Sequence, residues 1–237
     1  MVWHLETIRA TVLAPNIKAL GLLKWQELVG GSPPQTLNPA QDTFLELGFI
    51  ERYAFTIREQ PGRGDLIAAA RQDPTTIFPA SLGDLADFLP GFTEITKRWL
   101  SKSDSVKRLA VFCTIFEGHR TPEDALEAIL TKVPSFKKKP GEKILDFLVQ
   151  TNRPRKSTID PSKDINRFVQ WSARFIMLSF PAFPNRPSIR PIPSPRAQAD
   201  IDINTAGESD IPNSLIAQHL DEMTSLMLGI AQNGDTP

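Results

Sequence analysis

The stretch VKRLAVFCTIF, residues 106–116, decides the fold. Apolar residues occupy both faces of this segment for most of its length, which is the pattern of a strand buried inside a sheet. The sequence therefore predicts a central β-strand over Val106–Phe116. Cys113, the single cysteine of the chain, lies in this strand. A lone thiol among apolar residues is typical of a small buried hydrophobe rather than of a nucleophile.

Patterns on either side of this strand predict further elements. On the N-terminal side they are a strand at His4–Ala14, a helix at Ile17–Val29 that Gly30 ends, a strand in the second half of Phe44–Ile57, a turn at Gln60–Asp65, and a helix that Ser81 opens and that runs toward Leu100 with an interruption at Pro90-Gly91. On the C-terminal side they are a helix from Thr121-Pro122 to Val133, strands at Ile144–Thr151, Asn166–Phe180 and Ala199–Asn204, and a helix at Ser214–Ala231.

This order of elements predicts an α+β fold, in which a mostly antiparallel sheet is covered by a few helices. The C-terminal amphipathic helix is expected to pack on the sheet. We expect residues 1–105 to form an N-terminal α+β half and residues 106–237 to form a C-terminal α+β half. The latter includes a proline-rich connection, residues 181–195, expected to be extended. We expect the two halves to form one continuous domain.

Composition narrows the class of protein. The chain has 237 residues, of which 41% are hydrophobic and 23% charged, ordinary values for a globular protein. It shows neither a signal peptide at its start nor an apolar run long enough to span a bilayer, so we expect a cytoplasmic protein without a membrane partner.

A zero formal net charge hides a polarised distribution of charge. Eleven Lys and Arg face four Asp and Glu between Lys132 and Arg174, whereas residues 197–237 contain seven acids and no Lys or Arg. Within the first stretch, the segment 137–174, here called the basic segment, contains two Asn-Arg pairs. Its candidate residues for binding nucleic acid or a partner are Lys137, Lys138, Lys139, Arg153, Arg155, Lys156, Arg167 and Trp171.

Two interpretations of the basic segment stay open. Its lysines and arginines can bind phosphates while Trp171 stacks on a base. Alternatively, the lysines are solvated, and Arg153 and Arg167 pair with acids of the same chain. In one version of this alternative, the two arginines meet Asp200 and Asp202 across the sheet.

Catalytic chemistry has weak support in the sequence. Asp200, Asp202 and Asn204 alternate on one strand and so share a face, where two carboxylates can hold a divalent metal for phosphodiester cleavage. The Glu-x-Lys that commonly completes such a site does not accompany them. The three histidines are scattered, and no glycine-rich phosphate loop is present. We therefore predict no catalytic residue, no metal and no cofactor.

Several motifs carry a resemblance to a family of bacterial proteins. They are Lys107–Val111, Asp146–Arg155, Ile165-Asn166-Arg167 with Trp171-Ser172, and Asp200–Ile203 followed by the last helix. In these motifs residues 106–235 resemble a sporadically distributed family of about this length that has no assigned function. Patchy distribution of this kind is typical of phage-defence or toxin–antitoxin loci, and the resemblance implies a role in such a system. It also implies that the N-terminal half, residues 1–105, is the variable recognition region.

Three functions follow as hypotheses. The leading one is a non-enzymatic accessory or interaction subunit of a bacterial multi-protein system, in phage defence or a toxin–antitoxin pair, with the product of a neighbouring gene as its partner. Its polarised charge would orient it on that partner. The alternative is a nucleic-acid-binding protein that uses the basic segment. The third is a metal-dependent nuclease that uses Asp200 and Asp202.

Overall fold

The computed structural model describes residues 3–30, 34–36, 43–50, 53–71, 80–139, 141–142, 144, 146–178, 192–207 and 209–235. The strands are β1 (His4–Leu13), β2 (Gln35–Thr36), β3 (Phe44–Ile50), β4 (Tyr53–Gln60), β5 (Arg63–Ala70), β6 (Gly83–Asp84), β7 (Ser105–Val106), β8 (Arg108–Gly118), β9 (Phe147–Asn152), β10 (Arg155–Lys156), β11 (Asp164–Leu178), β12 (Ile192–Ala206) and β13 (Ile211–Pro212). The α-helices are α1 (Trp25–Val29), α2 (Leu85–Trp99), α3 (Pro122–Leu130) and α4 (Asn213–Asn233).

Eleven of these strands form one antiparallel sheet, which confirms the predicted α+β class. The main order is β10-β11-β12-β8-β1-β5-β4-β3-β2, while β9 pairs with β11 and β6 pairs with β1. The predicted central strand, β8, is paired on both edges, so that Cys113 lies between Ile8 of β1 and Ile201 of β12. Since β1 belongs to the predicted N-terminal half and β12 to the C-terminal half, the sheet runs without a break through both.

The described helices all pack on one face of the sheet. Apolar residues such as Ile8, Val111 and Ile201 point to this face and have no exposed surface or almost none. As predicted, the C-terminal helix α4 packs on the sheet, against β8 and β12. It buries apolar residues such as Leu220, Met223 and Met227. None of the described helices combines the length and the apolar content that crossing a membrane requires.

The predicted helix Ile17–Val29 is wrong as a single element. A short 3-10 helix covers Ile17–Leu20, and α1 begins only at Trp25. Gly21 adopts a left-handed conformation with φ of 65° and ends the first piece. The chain then runs non-helically, and the amide of Leu23 donates to the carbonyl of Trp99. A tertiary hydrogen bond therefore replaces the helical one here.

The helix α2 differs from its prediction at its start and at its proline. Asp84, not Ser81, caps it by accepting a hydrogen bond from the amide of Ala86 at 2.8 Å. The helix continues through Pro90 without a break. Pro90 is exposed, so the Ala86 carbonyl that loses its helical donor lies toward the solvent side.

Two prolines of the predicted connection 181–195 lie in a strand instead. The strand β12 begins at Ile192 and includes Pro193 and Pro195, whereas residues 179–191 lie outside the described part of the chain. The Pro195 carbonyl accepts a hydrogen bond from the amide of His119 and so points away from β11. Because the nitrogen and the carbonyl of one strand residue point to the same side, the nitrogen of Pro195 also faces away from β11. Strand β8 ends at Gly118, so no ladder donor is required there, and proline is tolerated.

Candidate functional site

The sheet has a second face, on which no described helix packs, and we call it the open face. Side chains alternate between the two faces of a strand. The residues between the core positions, such as Arg9, Thr114 and Asp200, therefore belong to the open face. In register, Gln150, Gln170, Asp200 and Thr114 form one polar row across four strands.

The charged and amide side chains of the open face are hydrogen-bonded to one another. Asp200 accepts from Thr114 at 2.8 Å and from Gln198 at 3.0 Å. Arg196 donates to Gln198 at 2.6 Å and to Glu6 at 3.1 Å. Its guanidinium lies 5.4 Å from the centroid of the Phe116 ring. Thr114, Gln198 and Arg196 are each less than one tenth exposed, so this surface is fixed by its own contacts.

A second part of the open face, here called the arginine cluster, consists of Arg9, Arg58 and Arg63 around Asp65. Asp65 is completely buried. Arg58 donates to it at 2.7 and 3.1 Å, and Arg63 at 3.0 Å. The hydroxyl of Thr11 donates to the same carboxylate at 2.6 Å. Arg9 is the arginine farthest from the carboxylate, with its Nε 3.9 Å away.

The pKa of Asp65 reflects these partners. Burial alone raises the pKa of a carboxyl group, because it disfavours the charged form. The hydrogen bonds from Arg63, Thr11 and Arg58 outweigh burial and hold the pKa of Asp65 below its ordinary value. Burial is the largest cause that lowers the pKa of Arg9, against the opposing charges of Asp65 and Asp202, and the nearby charge of Arg63 adds to the lowering. The cluster thus holds three cations and one anion.

Sequence reasoning missed the arginine cluster. It placed Arg63, Gly64 and Asp65 in a turn, whereas the turn consists of Pro61 and Gly62 alone and β5 begins at Arg63. Its members come from three strands, and only the pairing of β1 with β5 and of β5 with β4 brings them together. A weak signal was present in the alternation of Arg9 and Thr11 with the apolar residues of β1.

The exposed lysines of the basic segment are partly paired with nearby acids. Lys138 lies 3.3 Å from Glu127, and Lys156 lies 2.9 Å from Asp164. Lys137 and Lys139 are exposed. Surface pairs of this kind contribute little to stability and leave the lysines accessible.

The arginines of the basic segment contact the C-terminal part of the chain. Arg155 lies 3.4 Å from Glu222 of α4. Arg153 and Arg167 lie 3.5 and 3.8 Å from the carboxylate of Asp235, which also accepts from Thr151 at 2.8 Å. The two carboxylates are less than one tenth exposed. The basic arginines therefore pair with the acidic end of the same chain.

The expectation that Arg153 and Arg167 meet Asp200 and Asp202 is wrong. Arg167 is in register with Ile203, a core residue, so its side chain points to the helix-covered face. Asp202 is in register with Phe168 and points to the open face. The two faces of a sheet keep such side chains apart.

Trp171 is placed in the core. It is 1% exposed, and its ring packs edge-on against that of Trp3, with centroids 5.7 Å apart. A side chain buried in this way cannot stack on a base. The basic segment therefore offers lysines to a partner, but not the aromatic platform that the sequence suggested.

The structure supports neither a metal site at Asp200 and Asp202 nor a nucleophilic role for Cys113. Asp202 accepts a hydrogen bond from Asn204 at 2.8 Å, and the described residues contain no group of three His, Cys, Asp or Glu that could hold a metal ion. Cys113 is completely buried, as predicted, and burial raises the pKa of its thiol. A neutral, inaccessible thiol is not a nucleophile.

The fold and this polar surface define an α+β protein whose large antiparallel sheet has one helix-covered face and one open face. In comparison with known proteins, neither a protein-family model nor a curated protein matches the chain. The resemblance to a sporadically distributed bacterial family stays a prediction from the sequence motifs.

Proposed function

We propose that the chain is a non-enzymatic interaction subunit and that it docks on a partner protein with the open face of its sheet. The observation that carries this proposal is the order of that face. Arg58 and Arg63 are each about one third exposed, and hydrogen bonds to the buried carboxylate of Asp65 hold them in place. Side chains fixed in advance lose less conformational entropy on binding, which favours association.

The charges of the open face favour a protein partner over nucleic acid. The arginine cluster supplies positive charge, whereas Asp200 and Asp202 on β12 supply negative charge in neighbouring rows. A surface with both signs can select a partner surface with complementary charges and fix its register. A polyphosphate chain laid along the same face would meet the two aspartates and be repelled.

The resemblance in the sequence motifs supplies the context of the proposal. We place the subunit in a bacterial multi-protein system for phage defence or in a toxin–antitoxin pair, with a neighbouring gene product as its partner. The opposite charges of residues 132–174 and 197–237 act within the fold in this proposal, since Arg153, Arg155 and Arg167 pair with Asp235 and Glu222.

A second candidate function rests on Lys137 and Lys139. Both are exposed beside Lys138 and can contact phosphates, so binding of nucleic acid by this part of the basic segment is the alternative. It predicts binding that weakens steeply with salt and is lost when the three lysines are replaced by glutamine.

Site-specific photo-crosslinking in the organism that encodes the protein tests the proposal. A photoreactive amino acid replaces Gln170 on the open face, and in a matched variant it replaces Gln218, an exposed residue of α4. We expect one protein partner, in a stoichiometric complex that survives nuclease, to crosslink from position 170 and not from 218. Crosslinks from 218 alone would overturn the docking face. Loss of the complex on nuclease treatment would favour the nucleic-acid alternative.

A further inference from the structure

The arginine cluster carries more positive charge than its own carboxylate can neutralise. Three guanidinium groups surround the single carboxylate of Asp65, and the donors of Thr11, Arg58 and Arg63 occupy both carboxylate oxygens. Like charges at this separation repel one another, and the repulsion is stronger where water is partly excluded. The cluster is therefore an incomplete electrostatic unit on the open face.

Arg9 is the member of the cluster that makes no hydrogen bond to Asp65. Its Nε lies 3.9 Å from Asp65, beyond hydrogen-bond distance, and has no hydrogen-bond partner among the described residues. The guanidinium is held 5.0 Å from the centroid of the Phe112 ring. The Nε atom itself is buried, whereas the side chain as a whole is 31% exposed, so an incoming ligand would contact the other atoms of the guanidinium. Contact with an aromatic ring fixes the orientation of the guanidinium and leaves its edges free to donate.

We infer that the arginine cluster is a carboxylate-binding site and that it receives an acidic segment of the partner protein, with Arg9 as the contact residue. This inference rests on the proposed docking through the open face. A planar guanidinium donates two parallel hydrogen bonds to a carboxylate. Arg58 already contacts Asp65 in a related way, through its Nε and Nη2 atoms.

The neighbours of Arg9 favour a carboxylate on a protein over the phosphates of a nucleic acid. Asp202 is in register with Phe112, which is in turn in register with Arg9. The guanidinium of Arg9 lies over the Phe112 ring, and the negative charge of Asp202 acts on it. A single carboxylate beside Arg9 adds one negative charge near Asp202. A chain of phosphates, which carries charge at every nucleotide, would continue onto Asp202.

Binding of a fluorescein-labelled hexaglutamate peptide to the whole chain, followed by fluorescence anisotropy, tests the inference. We expect saturable binding that weakens with salt. In Arg9→Gln the affinity should fall about tenfold, because the loss of one strong ionic hydrogen bond changes the binding free energy by about that factor. Arg174→Gln, which alters an exposed arginine of β11, is the matched control and binds like the wild type. Circular dichroism and thermal unfolding establish that both variants are folded.

A gain-of-affinity variant keeps the test independent of folding. Asp202→Asn removes the nearby negative charge and should tighten hexaglutamate binding severalfold. Three results would overturn the inference: no saturable binding, equal weakening in Arg9→Gln and Arg174→Gln, or tighter binding of an oligothymidylate of equal charge that Arg9→Gln abolishes. If crosslinks from position 170 persist while hexaglutamate fails to bind, the carboxylate site fails and the docking face stands. If hexaglutamate binds and the crosslinks are absent, the docking face fails instead.

Discussion

The carboxylate of Asp235 lies 3.5 Å from the Nε of Arg153, and this contact joins the most basic part of the chain to its acidic end. The backbone carbonyl of Asp235 also accepts from Arg153, at 2.7 Å. The charge separation along the sequence is therefore used in the fold, where it fixes the segment after α4 against the strands β9 and β11. The same pairing leaves the open face as the main candidate surface for a partner.

Replacement of Asp235 should destabilise the fold. Its side chain is 3% exposed and contacts Thr151, Arg153 and Arg167. In Asp235→Ala the two arginines keep their charge and lose their partner, which costs about 2 kcal/mol of unfolding free energy. Urea denaturation measures the change. Asp210→Ala, which removes a half-exposed carboxylate 3.6 Å from Lys107, is the control and should shift stability by less than about 0.5 kcal/mol. Equal shifts in the two variants would contradict this account of Asp235.

Local patterns predicted several elements of this fold well. The helix α3 begins where Thr121 caps it and Pro122 occupies its first turn, and the hydroxyl of Thr121 accepts from the amide of Asp124. The strand β8 was predicted from apolar residues on both faces. These signals act within a few residues, so they can be recognised without knowledge of the sheet order.

The candidate surfaces could not be predicted in the same way. Arg9 and Asp65 lie 56 positions apart and meet only because β1 pairs with β5. Asp235 meets Arg167 because α4 returns its end to β11. No local pattern encodes either pairing. Pro193 and Pro195 were misjudged for a related reason. Proline disfavours a strand, but the sheet tolerates these two prolines because the neighbouring strand β8 has already ended beside them.

Gly48 of β3 should be intolerant of a side chain. A Cβ at this position would overlap the ring of Trp25, which is 2% exposed. In Gly48→Ala the ring or the strand has to move, and overpacking of this kind costs about 1–3 kcal/mol. Gly91→Ala is a matched control, because Gly91 lies in α2 and faces open space. Alanine is the better helix former and should stabilise by about 0.5–1 kcal/mol. Opposite shifts in melting temperature are expected, and a stabilised Gly48→Ala would contradict the packing of α1 on β3.

Asp65 should make stability depend on acid pH. Its folded-state pKa is lowered, so its contribution to stability is complete above the unfolded value, about pH 4, and is lost as pH falls through the folded pKa. In Asp65→Asn the arginine cluster loses its anion, which costs about 3 kcal/mol at neutral pH, and the loss of stability below pH 4 becomes smaller. Urea denaturation from pH 2.5 to 7 checks both effects. Asp164→Asn, at a half-exposed carboxylate, is the control and should keep the wild-type profile. A wild-type acid profile in Asp65→Asn would show that the carboxylate is not ionised in the cluster.

His219 should contribute a separate loss of stability at mildly acidic pH. It is completely buried in α4, and neither ring nitrogen has a hydrogen-bond partner among the described residues. Burial lowers its pKa, against the opposing effects of Glu222 and Asp160, and the charge of Lys163 adds to the lowering. The unfolded chain therefore binds a proton at His219 below about pH 6.5, where the folded chain does not. Stability is therefore lost as the pH is lowered from the unfolded pKa toward the folded pKa.

The variant His219→Leu isolates this effect. Leucine fills the buried site without a titratable group, so the unfolding free energy should fall less between pH 7 and pH 5.5 than in the wild type. The difference in slope is at most about 1.4 kcal/mol per pH unit, the value for one proton. Because His4 is exposed, His4→Gln is the control, and it should keep the wild-type slope. Equal slopes in His219→Leu and the wild type would show that His219 takes up its proton in the folded chain, with Glu222 and Asp160 outweighing its burial.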